Sequence, residues 1–247
     1  MNSFEKKKVP RLGLGTWLST GSPVVAELAG ACSLDWLLFD LEHGCLTESG
    51  LLANLQAVRN PEVTLVVRVG SLDPALIARA LDWGASGIML PHVSTPAQAS
   101  ACVAAMRYPP HGTRGYSGSV RAYAYGLCAS KVIQELPAPV FMAQLEDYEG
   151  VMNAEAIAGV SGVDVLFVGP ADLKLDLAVR CPSKPSLPFT DALARVSQAA
   201  QKNGKQAGIL VRNPADIPEL RKAGFSCLAI GSDLGILRDG FQTILTL

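Results

Sequence analysis

The sequence predicts a single-domain α/β protein: one closed (β/α)8 barrel over residues 1–247. Three observations predict it. Short apolar runs alternate with helical patterns eight times along the chain. The hydrophobic fraction is 49% with a mean hydropathy of +0.27, the composition of a parallel sheet whose outer face is covered by helices. Polar and charged residues gather where the apolar runs stop, and a barrel collects such strand ends at one rim. A chain of this length could make two small domains, but the unbroken repeat of strand, turn and helix favours one core. An open doubly wound sheet is the alternative; it lacks the Gly-x-Gly-x-x-Gly turn after the first strand.

Residues 12–18 read as the first strand, and Ser22-Pro23 opens a helix through Ala31. Residues 35–42 are the second strand, with a helix capped by Thr47-Glu48 and running to about Arg59. Residues 64–69 form the third, followed by Asp73-Pro74 and the helix PALIARALDWG. Residues 87–93 are the fourth, after which Thr95-Pro96 opens a helix to about Arg107. Ser, Asp or Thr followed by Pro fixes three of these helix starts, because the cap side chain accepts a free N–H and Pro needs none. The pattern then lapses into YPPHGTRGYSGSVRAYAYG, a loop of the length that usually serves function. The repeat resumes with a strand at 140–146, a helix at 150–158, a strand from 163 to about 169 and a Pro-rich stretch at 181–188. A helix at 191–203, a strand at 206–211, a helix at 214–223, a strand at 227–230 and a helix from 234 complete it.

The net charge of −1, with no basic stripe beyond Lys6 to Lys8, excludes a nucleic-acid or membrane-surface partner. No apolar run approaches the ~18 residues of a spanning helix, and Pro10, Arg11 and Gly13 break any signal core after the lysines. A cytoplasmic protein is expected. The six cysteines contain no Cys-x-x-Cys pair, so neither a zinc knuckle nor a redox motif is present. Cys45 follows His43 closely, but a loop position with no role is the better reading.

Glu146 ends the run VFMAQLE and Asp172 ends VDVLFVGPAD, so adjacent strands deliver two carboxylates suited to a divalent cation. Asp40, Glu42 and His43 end the second strand, Arg68 the third, His92 the fourth, and Gln144 precedes Glu146. One charge at a strand end is ordinary; their convergence on one rim is the signal.

These residues resemble the metal-dependent class II 2-oxo-acid aldolases, the HpcH/HpaI type that includes 4-hydroxy-2-oxoheptanedioate and 2-dehydro-3-deoxyglucarate aldolases. The likeness runs from about Gly15 to Leu237 through FDLEHG, VVRV, RYPPHGTRG, QLE, VGPADL and IGSDLG. It implies a barrel of the phosphoenolpyruvate/pyruvate superfamily, reversible cleavage of 4-hydroxy-2-oxo acids to pyruvate and an aldehyde through a metal-bound enolate, and a homo-oligomer, a hexamer built as a trimer of dimers. By the same resemblance Glu146 and Asp172 hold Mg2+ or Mn2+, with Co2+ a third candidate. Gln144 and the backbone N–H groups at Ala171 and Asp172 hold substrate, and Trp17 and Leu210 contact it. His43 is the base that takes the 4-hydroxyl proton. Asp40 is placed to orient the imidazole, while Asp82, on the third helix, could reach a base only across a subunit interface. Arg68 stabilises the enolate oxygen. His92 and His111 match positions that vary in the family and take no part.

Tyr116 departs from the smaller apolar residue of relatives, Arg121 is either a contact for a distal carboxylate or a solvated side chain, and residues 173–188 match poorly. A coenzyme A thioester lyase and a non-catalytic metal and oxo-acid binding protein compete with the aldolase. A Schiff-base mechanism is disfavoured because Lys131, Lys174 and Lys205 read as loop or turn residues, not strand ends.

Overall fold

Alternation along each strand decides what fills the centre of the protein. On β2 (Trp36–Asp40), Trp36 and Leu38 belong to a cluster inside the sheet, while Leu37 and Phe39 face the helices outside it. The computed structural model describes residues 12–127, 138–179 and 187–246. Cys128, Lys131, Cys181 and the amino-terminal lysines lie outside those residues.

The other strands are β1 (Leu14–Leu18), β3 (Thr64–Arg68), β4 (Gly87–Leu90), β5 (Val140–Leu145), β6 (Val165–Val168), β7 (Gln206–Val211) and β8 (Phe225–Ser232). They pair in parallel and in chain order, and β8 returns to β1, closing the barrel. The outer helices are α1 (Pro23–Ala31), α2 (Glu48–Ala57), α3 (Pro74–Asp82), α4 (Pro96–Met106), α5 (Tyr148–Met152), α6 (Ala154–Ala158), α7 (Pro170–Val179), α8 (Phe189–Lys202), α9 (Ile217–Lys222) and α10 (Asp233–Ile244). No described helix is long and apolar enough to cross a membrane.

The interior is filled by rings. Trp17, Trp36 and Phe167 meet at centroid separations of 5.5 to 6.5 Å, in tilted and edge-on arrangements that suit aromatic quadrupoles. Glycine makes the room: a Cβ on Gly15 would overlap the Trp36 ring, and one on Gly208 would overlap Phe167.

Ser22, Asp73 and Thr95 cap their helices as the sequence predicts, Thr95 in a full capping box with Gln98. Thr47 occupies the cap position of α2, but its hydroxyl pairs with Ser49 instead. Strands two to five end earlier than expected; β4 stops at Leu90, before Pro91, which has no N–H to give. The helix expected over 150–158 is two short helices meeting at Asn153, and that over 214–223 is a 3-10 turn followed by α9. α7 was not expected at all. It carries Lys174, stacked 4.6 Å from the Phe189 ring, so that lysine is helical and not in a loop.

The closing seam is pinned at the C-terminal rim by Asp233, which is 4% exposed. Its carboxylate accepts the N–H groups of Ser19 (2.8 Å) and Thr20 (3.0 Å) and the Thr20 hydroxyl (2.6 Å), fixing the loop after β1 to the start of α10. Asp233→Ala would orphan these donors and should cost about 2–4 kcal/mol, seen as a fall of several degrees in Tm. An unchanged Tm would contradict this role.

Candidate active site

Arg68 is the last residue of β3 and points inward among acids. Its Nε and Nη2 donate to the two oxygens of Asp40 at 2.9 and 2.7 Å, a fork-to-fork pair supplied by the next strand in register. Nη1 lies 2.8 Å from Glu42 Oε2, a charge contact that falls short of hydrogen-bond geometry. Trp17 forms the floor, its ring centroid 5.3 Å from the guanidinium carbon. Burial works against the charge on Arg68, but Asp40, Glu42 and Glu146 together outweigh it, so its pKa is raised.

Asp40 therefore serves Arg68 and not the imidazole. It also accepts the backbone N–H groups of Glu42 (3.0 Å) and His43 (3.3 Å), which shapes the turn carrying both residues. The His43 ring is 66% exposed, and its nearest carboxylate among the described residues is Glu42, at 3.8 Å.

Glu146 follows β5, and Gln144, two residues earlier, shares its inward face. Gln144 Nε2 donates to Glu146 Oε1 at 2.7 Å, while Gln144 Oε1 is buried without a hydrogen-bond partner. Gly169, at the end of β6, is a packing requirement: a Cβ there would overlap the Glu146 carboxylate. Asp172 sits in the first turn of α7, close enough for its charge to act on Glu146. The N–H groups of Ala171 and Asp172 belong to that first turn, where a helix leaves its donors free. Leu210 packs against the inner cluster from β7.

The Glu146 carboxyl is pushed up to about 7, first by burial and then by the neighbouring charges of Glu42 and Asp172, against the opposing influence of His92. Hard oxygen donors, an excess of negative charge and an orphaned amide oxygen fit a divalent cation with a chelating oxo acid. The sequence reading put His92 on this rim without a chemical role, and its ring lies between Glu42 Oε1 (3.2 Å) and Glu146 Oε2 (3.3 Å). Its place at the end of the fourth strand was the available signal.

Asp82 is not brought to this rim. It ends α3 and pairs with Arg114 at 2.5 Å, and Arg114 lies over the Tyr108 ring. Arg121 is neither solvated nor at the mouth; it donates to the carbonyls of Trp83 and Leu55. Tyr116 stacks between Tyr108 and Tyr123. Cys45 is an exposed thiol in the loop after β2.

Comparison with known proteins agrees with this fold. The profile of the HpcH/HpaI aldolase/citrate lyase family matches residues 13–240. The 5-keto-4-deoxy-D-glucarate aldolase of Escherichia fergusonii is 37% identical over 232 residues, covering 94% of this chain and 90% of its own. A solved HpcH/HpaI aldolase/citrate lyase family protein of Burkholderia cenocepacia superposes with a TM-score of 0.87 at 33% identity, covering 97% of this chain and 95% of that one. An HpcH/HpaI aldolase of Desulfitobacterium hafniense gives 0.83 at 27%, covering 96% and 94%.

The raised carboxyl sets a pH dependence of stability. Between the ordinary 4.5 and about 7, folded Glu146 holds a proton that the unfolded chain has lost. Its contribution to metal-free stability therefore falls as pH rises through that window, by of order 1–3 kcal/mol. Glu146→Gln should lose this slope and gain Tm relative to wild type as pH rises; parallel profiles would contradict it.

Proposed function

The chain belongs to the HpcH/HpaI aldolase/citrate lyase family and is a carbon–carbon lyase of the class II, pyruvate-releasing kind; from that premise we propose how its barrel mouth works and what it acts on. The substrate is a 4-hydroxy-2-oxo acid, and the names of the relatives favour a keto-deoxy sugar acid over a heptanedioate. Those relatives are aldolases, which does not favour the thioester-lyase alternative.

Glu146 and Asp172 would hold Mg2+ or Mn2+, with Co2+ as a third choice. When bound, the cation polarises the 2-oxo group as a Lewis acid. The N–H groups of Ala171 and Asp172 receive the substrate carboxylate, Gln144 offers its free amide oxygen, and Trp17 and Leu210 limit the space around the reacting carbons. His43 takes the proton of the 4-hydroxyl. The C3–C4 bond then breaks: C4 leaves as the aldehyde carbonyl, and the bonding pair enters C2–C3 as the enolate of pyruvate. Arg68, already fixed by Asp40, carries the charge growing on the 2-oxo oxygen without having to reorganise. Protonation at C3 gives pyruvate.

Arg68, buried and forked onto Asp40 with the charge of Glu146 acting on it, is the observation that carries this reading, because it holds a fixed cation at the mouth where an enolate's charge would grow.

We also assign a homo-oligomer, a hexamer arranged as a trimer of dimers. α10 supports it: Ile236, Phe241 and Ile244 are each more than 60% exposed on that helix. Asp82 would act on a base only in such an assembly. The described cysteines are free thiols, in keeping with a cytoplasmic setting.

With Mn2+ present, the protein should exchange the methyl hydrogens of pyruvate for deuterium. Arg68→Ala should slow this about 10²- to 10³-fold. Absence of exchange in the wild type would remove the enolate mechanism. His43→Ala should impair cleavage of a 4-hydroxy-2-oxo acid far more than it impairs exchange, since pyruvate has no 4-hydroxyl; equal losses would deny His43 the role of hydroxyl base.

A further inference from the structure

His92 follows Pro91 where β4 ends, and its backbone φ is 53°, a left-handed conformation that a residue with a Cβ adopts at a cost. That turn has a result. The His92 N–H leaves the ladder and donates to Glu146 Oε2 at 3.1 Å, while the N–H of Val93 resumes pairing with the Gln144 carbonyl at 3.0 Å. Ser94 and Gln98 side chains both donate to the His92 carbonyl at 3.4 Å, and Gln98 is the capping-box partner of Thr95, so the turn is tied to the start of α4.

The ring adds two contacts. Nδ1 lies 3.3 Å from the same Glu146 oxygen, and Nε2 lies 3.2 Å from Glu42 Oε1, whose other oxygen meets Arg68. Both ring nitrogens lie within 3.3 Å of carboxylate oxygens, contacts of charge distance that fall short of hydrogen-bond geometry. Glu146 is held on Oε1 by Gln144 and on Oε2 by His92. A carboxylate oxygen has about two lone-pair positions, so Oε1, which receives one donor, keeps capacity for another partner.

We propose that His92 is a positioning residue: it fixes the Glu146 carboxylate from the side opposite Gln144 and links it through Glu42 to Arg68, setting the mouth before cation and oxo acid arrive. The role rests on reading Glu146 as a cation ligand. It gives the strained backbone a purpose, since strain of this kind persists where the surroundings enforce it.

The test is Mn2+ binding to the metal-free, full-length protein, followed by calorimetry and by the paramagnetic resonance signal of free Mn2+. His92→Gly keeps the N–H and relaxes φ but removes the ring; His92→Asn keeps a polar side chain in a residue that tolerates the left-handed region. We expect His92→Gly to keep or raise Tm while weakening Mn2+ binding about tenfold, the usual size of a supporting-residue effect. KM for the 2-oxo acid should rise more than kcat falls, and His92→Asn should lie between. Wild-type affinity in His92→Gly, with binding lost in Glu146→Gln, would overturn the role and leave the cation site standing. Wild-type affinity in Glu146→Gln would overturn both. A fall in Tm matching the loss of affinity would also overturn it, reducing His92 to a structural residue.

Discussion

One guanidinium set among carboxylates governs the barrel mouth. Arg68 is buried, and Asp40 and Glu42 both reach it, yet Glu146 and Asp172 stand nearby with no described arginine or lysine paired to them. Bringing acids together out of water is unfavourable for each of them, and the raised carboxyl of Glu146 registers that cost. Two things can relieve it: a proton, which switches the site off, or a divalent cation. On the proposed reading, the same imbalance that weakens the empty protein prepares it for a metal.

The fold supplies rigidity for this arrangement. Strand register places Asp40 opposite Arg68, and the inward alternation of β5 puts Gln144 and Glu146 side by side. Below them the Trp17, Trp36 and Phe167 rings fill the barrel, so Arg68 rests on an aromatic floor and not on water. Gly15, Gly169 and Gly208 are the counterpart, because each leaves the volume that a ring or the Glu146 carboxylate occupies. Asp233 then holds the rim of the seam to the loop after Trp17.

Much of this was legible in the sequence. Eight apolar runs with polar ends give a barrel with one working rim, and Ser-Pro, Asp-Pro and Thr-Pro pairs locate helix starts from local hydrogen bonding alone. β7 matches the expected bounds residue for residue. What was not legible depends on contacts between distant residues. Asp40 looked suited to the imidazole of His43, three residues on in the chain, but its strand partner is an arginine that satisfies both its oxygens. His92 was set aside because it matches a position that varies in the family, and nothing in a linear reading signals a left-handed backbone there. α7 was hidden by its opening Gly-Pro and the Pro-rich stretch after it, which read as loop. Asp82 stays apart from the mouth within one chain, so its part turns on an assembly that residue spacing does not encode.

The most direct measurement is anomalous diffraction from crystals soaked with Mn2+ and a 2-oxo acid. The account predicts one peak about 2.1 Å from carboxylate oxygens of both Glu146 and Asp172, with the oxo acid beside Arg68 still forked onto Asp40. A bound oxo acid with the peak at other residues, or with no metal at the mouth, would contradict it.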